Sequence, residues 1–221
     1  MQKLDSASKP DQKPPRARGR PRAFDRTEAL DRATRLFWEN GYEATSIADL
    51  TGAMGVGAPS LYAAFGSKEA LYEEALRHYA DTNQHFVWDG YFAAPTARAA
   101  VRALLMDSAA ALTGCVADMP RGCMVALSNV GGDGHDDLRE LVRGARAITL
   151  DRLKDRFARA VAAGEIPASA DLHALARFVQ TIQTGMSILA RDGAGREELK
   201  AVAALAIAGW DARLAGDGAQ D

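Results

Sequence analysis

The chain has 221 residues, 48% of them hydrophobic and only 7% aromatic, and a net charge of −2. That length suits one large domain or a small one joined to a larger one, and the apolar content is enough to bury a core. Abundant alanine with few β-branched and aromatic residues favours helix over sheet. Two cysteines, Cys115 and Cys123, are too few for a disulfide framework.

The charge is unevenly spread. Residues 1–22 carry seven Lys/Arg against Asp5 and Asp11, while the chain beyond residue 68 is net acidic. A basic end on an acidic body is expected where one end meets a polyanion. The basic stretch is also Pro-rich with almost nothing to bury, so residues 1–22 are expected to form a disordered arm. No apolar stretch follows it and no apolar run approaches bilayer length. Neither a secretory signal nor a membrane contact is expected, and the expected location is the cytoplasm.

The first helix is expected at "FDRTEALDRATRLFWENGY", with Asp25 as N-cap, Glu28 three residues on, and Asn40-Gly41 as the stop. In "TSIADLTGAMGV", Thr45 is the expected cap of a short helix with Ile47, Leu50 and Met54 inward, ended by Gly55. "APSLYAAF" forms the next short helix, with Pro59 in its first turn. Ser67 caps a longer one running to Trp88. The glycines stand at the joints, so this is helix, tight turn, helix, a pattern that enters DNA grooves. Further helices are expected at 96–113, 121–130, 136–163, 171–191 and 195–214, giving an all-α chain.

The residues "GYEATSIADL", "MGVGAPSLYAAF" and "SKEAL" resemble the DNA-binding part of the TetR family of bacterial transcriptional repressors. Gly57 departs from the family pattern, which usually has Ser or another capping residue there. The resemblance covers roughly residues 20–72. It implies a three-helix DNA-binding domain over 23–68 and a helical ligand-binding and dimerising domain over 69–221, with the last two helices as the dimer surface. It further implies a homodimer on a near-palindromic operator of double-stranded DNA, and an unidentified small-molecule effector, apolar or aromatic.

On DNA, Ala58, Pro59 and Ser60 are the expected base-facing groups, since small hydroxyl and apolar surfaces suit base edges and thymine methyls. The resemblance gives Tyr62 a phosphate, and Thr45 and Lys68 at helix starts also fit phosphate. Arg20 and Arg22, flanking Pro21, suit a minor-groove arm. Candidates for the effector pocket are His78, Tyr79, Phe86, Met106, Cys123, Met124, Ile148, Phe178, Ile182 and Met186, any of which helical spacing also allows to be core.

The passage "GCVADMPRGCMVALSNV" has a second reading. An Arg121-led helix start would place Cys123 in a first turn, where thiolate is favoured. The passage is similar to that of electrophile- and oxidant-sensing TetR members, with Cys115 as a possible resolving thiol; plain packing is the alternative. His78, His85 and "DGHDD" lack metal-ligand spacing, so no metal or cofactor is expected. No nucleophile motif or phosphate-binding glycine loop is present, so enzyme activity is not expected.

Overall fold

The computed structural model describes residues 25–131 and 134–217; the arm with Arg20 and Arg22 lies outside them. Every regular element among the described residues is helical. In chain order these are α1 (Arg26–Asn40), α2 (Ile47–Met54), α3 (Ala58–Phe65), α4 (Lys68–Asn83), α5 (His85–Ala93), α6 (Ala97–Ala111), α7 (Met124–Leu127), α8 (Asp136–Ala162), α9 (Leu172–Arg191) and α10 (Arg196–Asp217).

The first helices end where local chemistry ends them. Asp25 accepts from the Thr27 and Glu28 amides, and Gly41 at φ 81° stops α1 with its N–H on the Phe37 carbonyl. Glu28 does not complete a capping box; its carboxylate turns to Arg32 at 2.5 Å. The box occurs instead on α2, where Ser46 accepts from the Asp49 amide and Asp49 accepts from the Ser46 amide. Ser46, not Thr45, is therefore the cap. Thr45 is fully buried and its hydroxyl donates to the Gly41 carbonyl at 2.6 Å, so it is consumed in closing the α1–α2 turn.

Two further expectations are corrected. The helix from Ser67 breaks at Gln84 into α4 and α5, without a glycine or proline at the break. The helix expected at 121–130 shrinks to the four residues of α7, with Cys123 as its N-cap rather than inside a first turn. Gly122, at φ 80°, cannot continue a right-handed helix there.

Two hydrophobic cores organise these elements. The first joins α1–α4 through Phe37, Leu50, Leu61, Leu71 and Tyr72, and is completed by Met124, Val130, Leu138 and Val142 from far along the chain. The second is the body of α5, α6, α8, α9 and α10, with Leu104, Leu105, Leu153, Phe157, Met186 and Trp210 at its centre. The Phe157 and Trp210 rings meet at 4.9 Å, and Arg98 ties α6 to α10 through Asp211 with two bonds of 2.6 Å.

Ser46→Ala removes the side-chain half of the α2 cap and is expected to lower unfolding free energy by about 1 kcal/mol. Urea denaturation would show a lower midpoint at unchanged slope.

Candidate DNA-binding face and effector cavity

The turn between α2 and α3 is set by Gly55, at φ 70° and ψ 31°, with the Val56 amide bonded to the Thr51 carbonyl at 3.1 Å. Leu61 and Phe65 bury the inner side of α3. Pro59, Ser60, Tyr62 and Ala63 are exposed, Ala58 half-buried, and Tyr62 keeps 47% of its surface free. The far end of α3 is pinned by Arg26, which stacks over Phe65 at 4.4 Å and ion-pairs with Glu74 of α4 at 2.5 Å. The ammonium of Lys68, the first residue of α4, lies 4.2 Å from the Tyr42 ring centroid. The Tyr42 hydroxyl donates to Glu69 at 2.7 Å. That bond holds the Glu69 carboxyl below its ordinary range, while burial first and Glu69 second raise the Tyr42 phenol.

A cavity of about 980 Å³ opens between the two cores, walled by α1, α4, α5, α7, α8 and α9. Trp38, Tyr79, Trp88, Leu141 and Ile188 give it apolar surface. Of the sequence candidates, Tyr79, Phe86, Cys123 and Ile148 line it. The others lie elsewhere. His78 bonds Asp31 on α1, Met124 belongs to the first core, Met186 is fully buried in the second, and Met106 and Ile182 pack against the second. Phe178 stands exposed on α9. Arg146, Arg152 and Arg177 also line the cavity, which nothing in their spacing foreshadowed.

Cys123 is placed by an unusual neighbour. A Cβ on Gly122 would sit 2.4 Å from Leu127 Cδ1 and 2.8 Å from the Ser187 carbonyl, so only glycine fits between α7 and α9. The Gly122 carbonyl accepts the Trp38 indole N–H at 2.9 Å, and the Cys123 amide donates to Ser187 Oγ at 2.6 Å. Burial first and the nearby Cys123 second raise the Tyr79 phenol. The Arg121 guanidinium bonds the Ala194 carbonyl. Cys115 is exposed.

Residues 29–75 match the family model of bacterial regulatory proteins, tetR family. Over 198 residues, covering 88% of this chain and 93% of the relative, the chain is 37% identical to the HTH-type transcriptional repressor ComR of Escherichia coli K12. The chain belongs to the TetR family. It is a DNA-binding transcriptional regulator. The HTH-type transcriptional repressor BdcR of the same organism is 31% identical over 86% of this chain and 91% of its own length. Among solved structures, a cysteine mutant of the TetR-family regulator CifR complexed with 26-bp operator DNA aligns at TM-score 0.80 and 41% identity, covering 86% of this chain and 98% of that one.

In this TetR-family chain the cavity wall and the DNA-binding helices share hydrogen bonds. Arg146 of α8 donates to the Val125 and Ala126 carbonyls, both at 3.2 Å, and to the Ser128 carbonyl. Ser128 Oγ in turn pairs with the buried Tyr72 hydroxyl of α4 at 2.8 Å. Arg191 of α9 donates to the Trp38 and Glu39 carbonyls at the end of α1, each at 2.7 Å.

Gly122→Ala forces a Cβ into Leu127 and the Ser187 carbonyl at a positive φ and is expected to cost about 2–3 kcal/mol. Thermal unfolding of the variant against the parent measures this, and Gly131→Ala, where a Cβ meets open space, is the control.

Proposed function

We propose that the chain is a homodimeric repressor that leaves a near-palindromic operator when a small, mostly apolar or aromatic molecule fills the cavity. The observation that carries this reading is the position of the cavity of about 980 Å³, whose wall includes Trp38 of α1 and Tyr79 of α4. A ligand there pushes directly on the helices that carry α3. Residues 23–68 act as the DNA-reading module and 69–221 as the sensing and dimerising body. The protein works in the cytoplasm and catalyses nothing.

On DNA, α3 enters the major groove, with Ser60, Pro59 and Ala58 toward the bases. Tyr62 and Lys68 take phosphates, and Arg20 and Arg22 follow the adjacent minor groove. The start of α2 offers the helix N-terminus to phosphate, with Thr45 as the residue that holds that end in place and the Ser46 hydroxyl committed to Asp49. One such module meets too little DNA for tight specific binding, so two are needed, about 34–36 Å apart on half-sites one turn apart. Exposed Phe178 and Leu189 on α9 and Leu205 on α10 supply the apolar surface for the dimer. Around Leu205, the exposed small residues Ala201, Ala208, Gly209 and Ala212 allow two helices to approach closely.

One observation favours a second mode of release. Cys123 lines the cavity, as does Tyr79. An α,β-unsaturated carbonyl compound admitted there would form a carbon–sulfur bond at its β-carbon, with the thiol proton ending on the α-carbon. The adduct would occupy the cavity as a tethered ligand does.

Genomic fragments selected on the purified protein are expected to yield an inverted repeat. Tyr62→Phe and Lys68→Gln should weaken its binding on any sequence, with Lys68→Gln lowering the salt slope by about 1. Ser60→Ala should instead alter the preferred base at one position of each half-site. If none of the three changes operator affinity, α3 is not the reading helix.

Mass spectrometry after treatment with an enone tests the thiol route. In a Cys115→Ser background, which removes the exposed second thiol, it is expected to show one adduct at Cys123 with loss of operator binding, and adding Cys123→Ser should keep the operator. Release that persists in Cys123→Ser would assign it to cavity filling alone.

A further inference from the structure

The cavity carries an electrostatic bias that apolar walls do not require. Its lining includes four arginines, Arg77, Arg146, Arg152 and Arg177, and no Asp or Glu among the described residues. Arg77 is already neutralised by Glu73 on its own helix. The other three bond neutral oxygen acceptors: Arg146 the Val125, Ala126 and Ser128 carbonyls, Arg152 the Gln84 side chain at 3.3 Å, and Arg177 the Gln180 side chain at 2.8 Å. Three guanidinium groups thus line one largely apolar space without an ion-pair partner among the described residues, Arg152 half-buried and Arg146 and Arg177 exposed at its rim.

Arg152 is the best prepared of them. Its guanidinium stacks over the Trp88 ring at 4.8 Å and the Phe92 ring at 5.6 Å. Its backbone carbonyl accepts from the Tyr91 hydroxyl at 3.1 Å, which fixes that turn of α8. A stacked guanidinium keeps its edge free, and that edge fits the two oxygens of a carboxylate. A fixed donor also loses little freedom when it binds.

We propose that the effector is an amphipathic organic anion: an aryl or alkyl body against Trp38, Phe86, Trp88 and Ile148, ending in a carboxylate held by Arg152, with Arg146 and Arg177 adding positive potential. This rests on the reading of the cavity as the effector site. The same charges explain how a ligand reaches the DNA helices. A carboxylate close to Arg146 competes with the carbonyl oxygens that Arg146 now holds, and one of these belongs to Ser128, the partner of Tyr72. A neutral ligand of the same shape has no such hold on Arg146.

The test uses the full chain and matched pairs: 3-phenylpropanoate, 2-naphthylacetate and decanoate, each against its primary amide. Binding is read by displacement of Nile red, a neutral dye that reports occupancy of the apolar cavity, and by quenching of tryptophan fluorescence. At least one acid is expected to bind ten-fold or more tightly than its amide and to release operator DNA. Arg152→Gln should reduce that ratio below three-fold, Arg152→Lys should keep only part of it because an ammonium keeps the charge but not the two parallel donors, and Arg177→Gln should lower it less. Equal displacement by acids and amides overturns the anion proposal while leaving the cavity as effector site. Dye uptake with displacement by neither form overturns it as well. If Nile red itself does not enter, the reading of the cavity fails and the proposal falls with it.

Discussion

The first hydrophobic core is not closed by the helices that bind DNA. Phe37, Tyr42 and Tyr72 meet at centroid separations of 5.0–6.4 Å, and their remaining flank is covered by Met124, Val130, Leu138 and Val142. These four come from α7, α8 and the segment between them, which belong to the helical body. A small three-helix unit buries a modest fraction of its surface and is marginal alone. Borrowing apolar cover from the body stabilises it, and the same borrowing makes it unable to ignore what happens there. Side chains packed at native density transmit a displacement rather than absorb it.

Polar contacts sharpen this dependence. Tyr72 is 1% exposed, and its hydroxyl is satisfied by Ser128, itself bonded to the Met124 carbonyl at 2.7 Å. A buried hydroxyl without its partner costs about 1–3 kcal/mol. That range matches the coupling free energies of known two-site linkages, about 1–3 kcal/mol. One lost hydrogen bond at Ser128 would therefore suffice to bias α4, and with it the spacing of two recognition helices in a dimer. Arg191 is clamped on the end of α1 through the Trp38 and Glu39 carbonyls, a second polar tie between the two cores.

What the sequence made legible follows from the range of the forces involved. Helices α1 to α3 end at Gly41, Gly55 and Gly66, all at positive φ, and begin at short polar residues or glycine. Such signals are local, so their positions could be read from neighbours in the chain. Thr45 and Ser46 are adjacent and chemically alike, and only the packing of Thr45 against Gly41 separates their roles. The break at Gln84 carries a weaker local mark: the Thr82 hydroxyl and the Asn83 amide bond the His78 and Tyr79 carbonyls of the preceding turn and compete with the helix. The short α7 was hidden for a non-local reason. Its first amide is satisfied by Ser187, 64 residues away, and Gly122 is dictated by the surface of α9. The cavity was half-legible: an apolar stripe looks the same whether it faces a core, as Met186 does, or an empty space, as Ile148 does. The arginines were illegible because long charged side chains normally point to water.

The placement of Trp38 draws these strands together. Its ring packs edge-on against Tyr79 at 4.7 Å, its indole nitrogen holds the Gly122 carbonyl, and its own carbonyl is held by Arg191. It therefore touches α4, α9 and the Gly122–Cys123 corner while belonging to the helix that opens the DNA-binding unit. A ligand that fills the cavity meets Trp38 and Tyr79 together, and a modification of Cys123 meets Tyr79 first. Both routes converge on one aromatic pair at the same junction. Under the proposed function, reversible binding and covalent modification need not be rival designs in such a fold, because either one would act on the same pair of rings and the same hydrogen bond to Gly122. The difference between them is lifetime: a bound anion leaves as its concentration falls, whereas an adduct persists until its carbon–sulfur bond is broken.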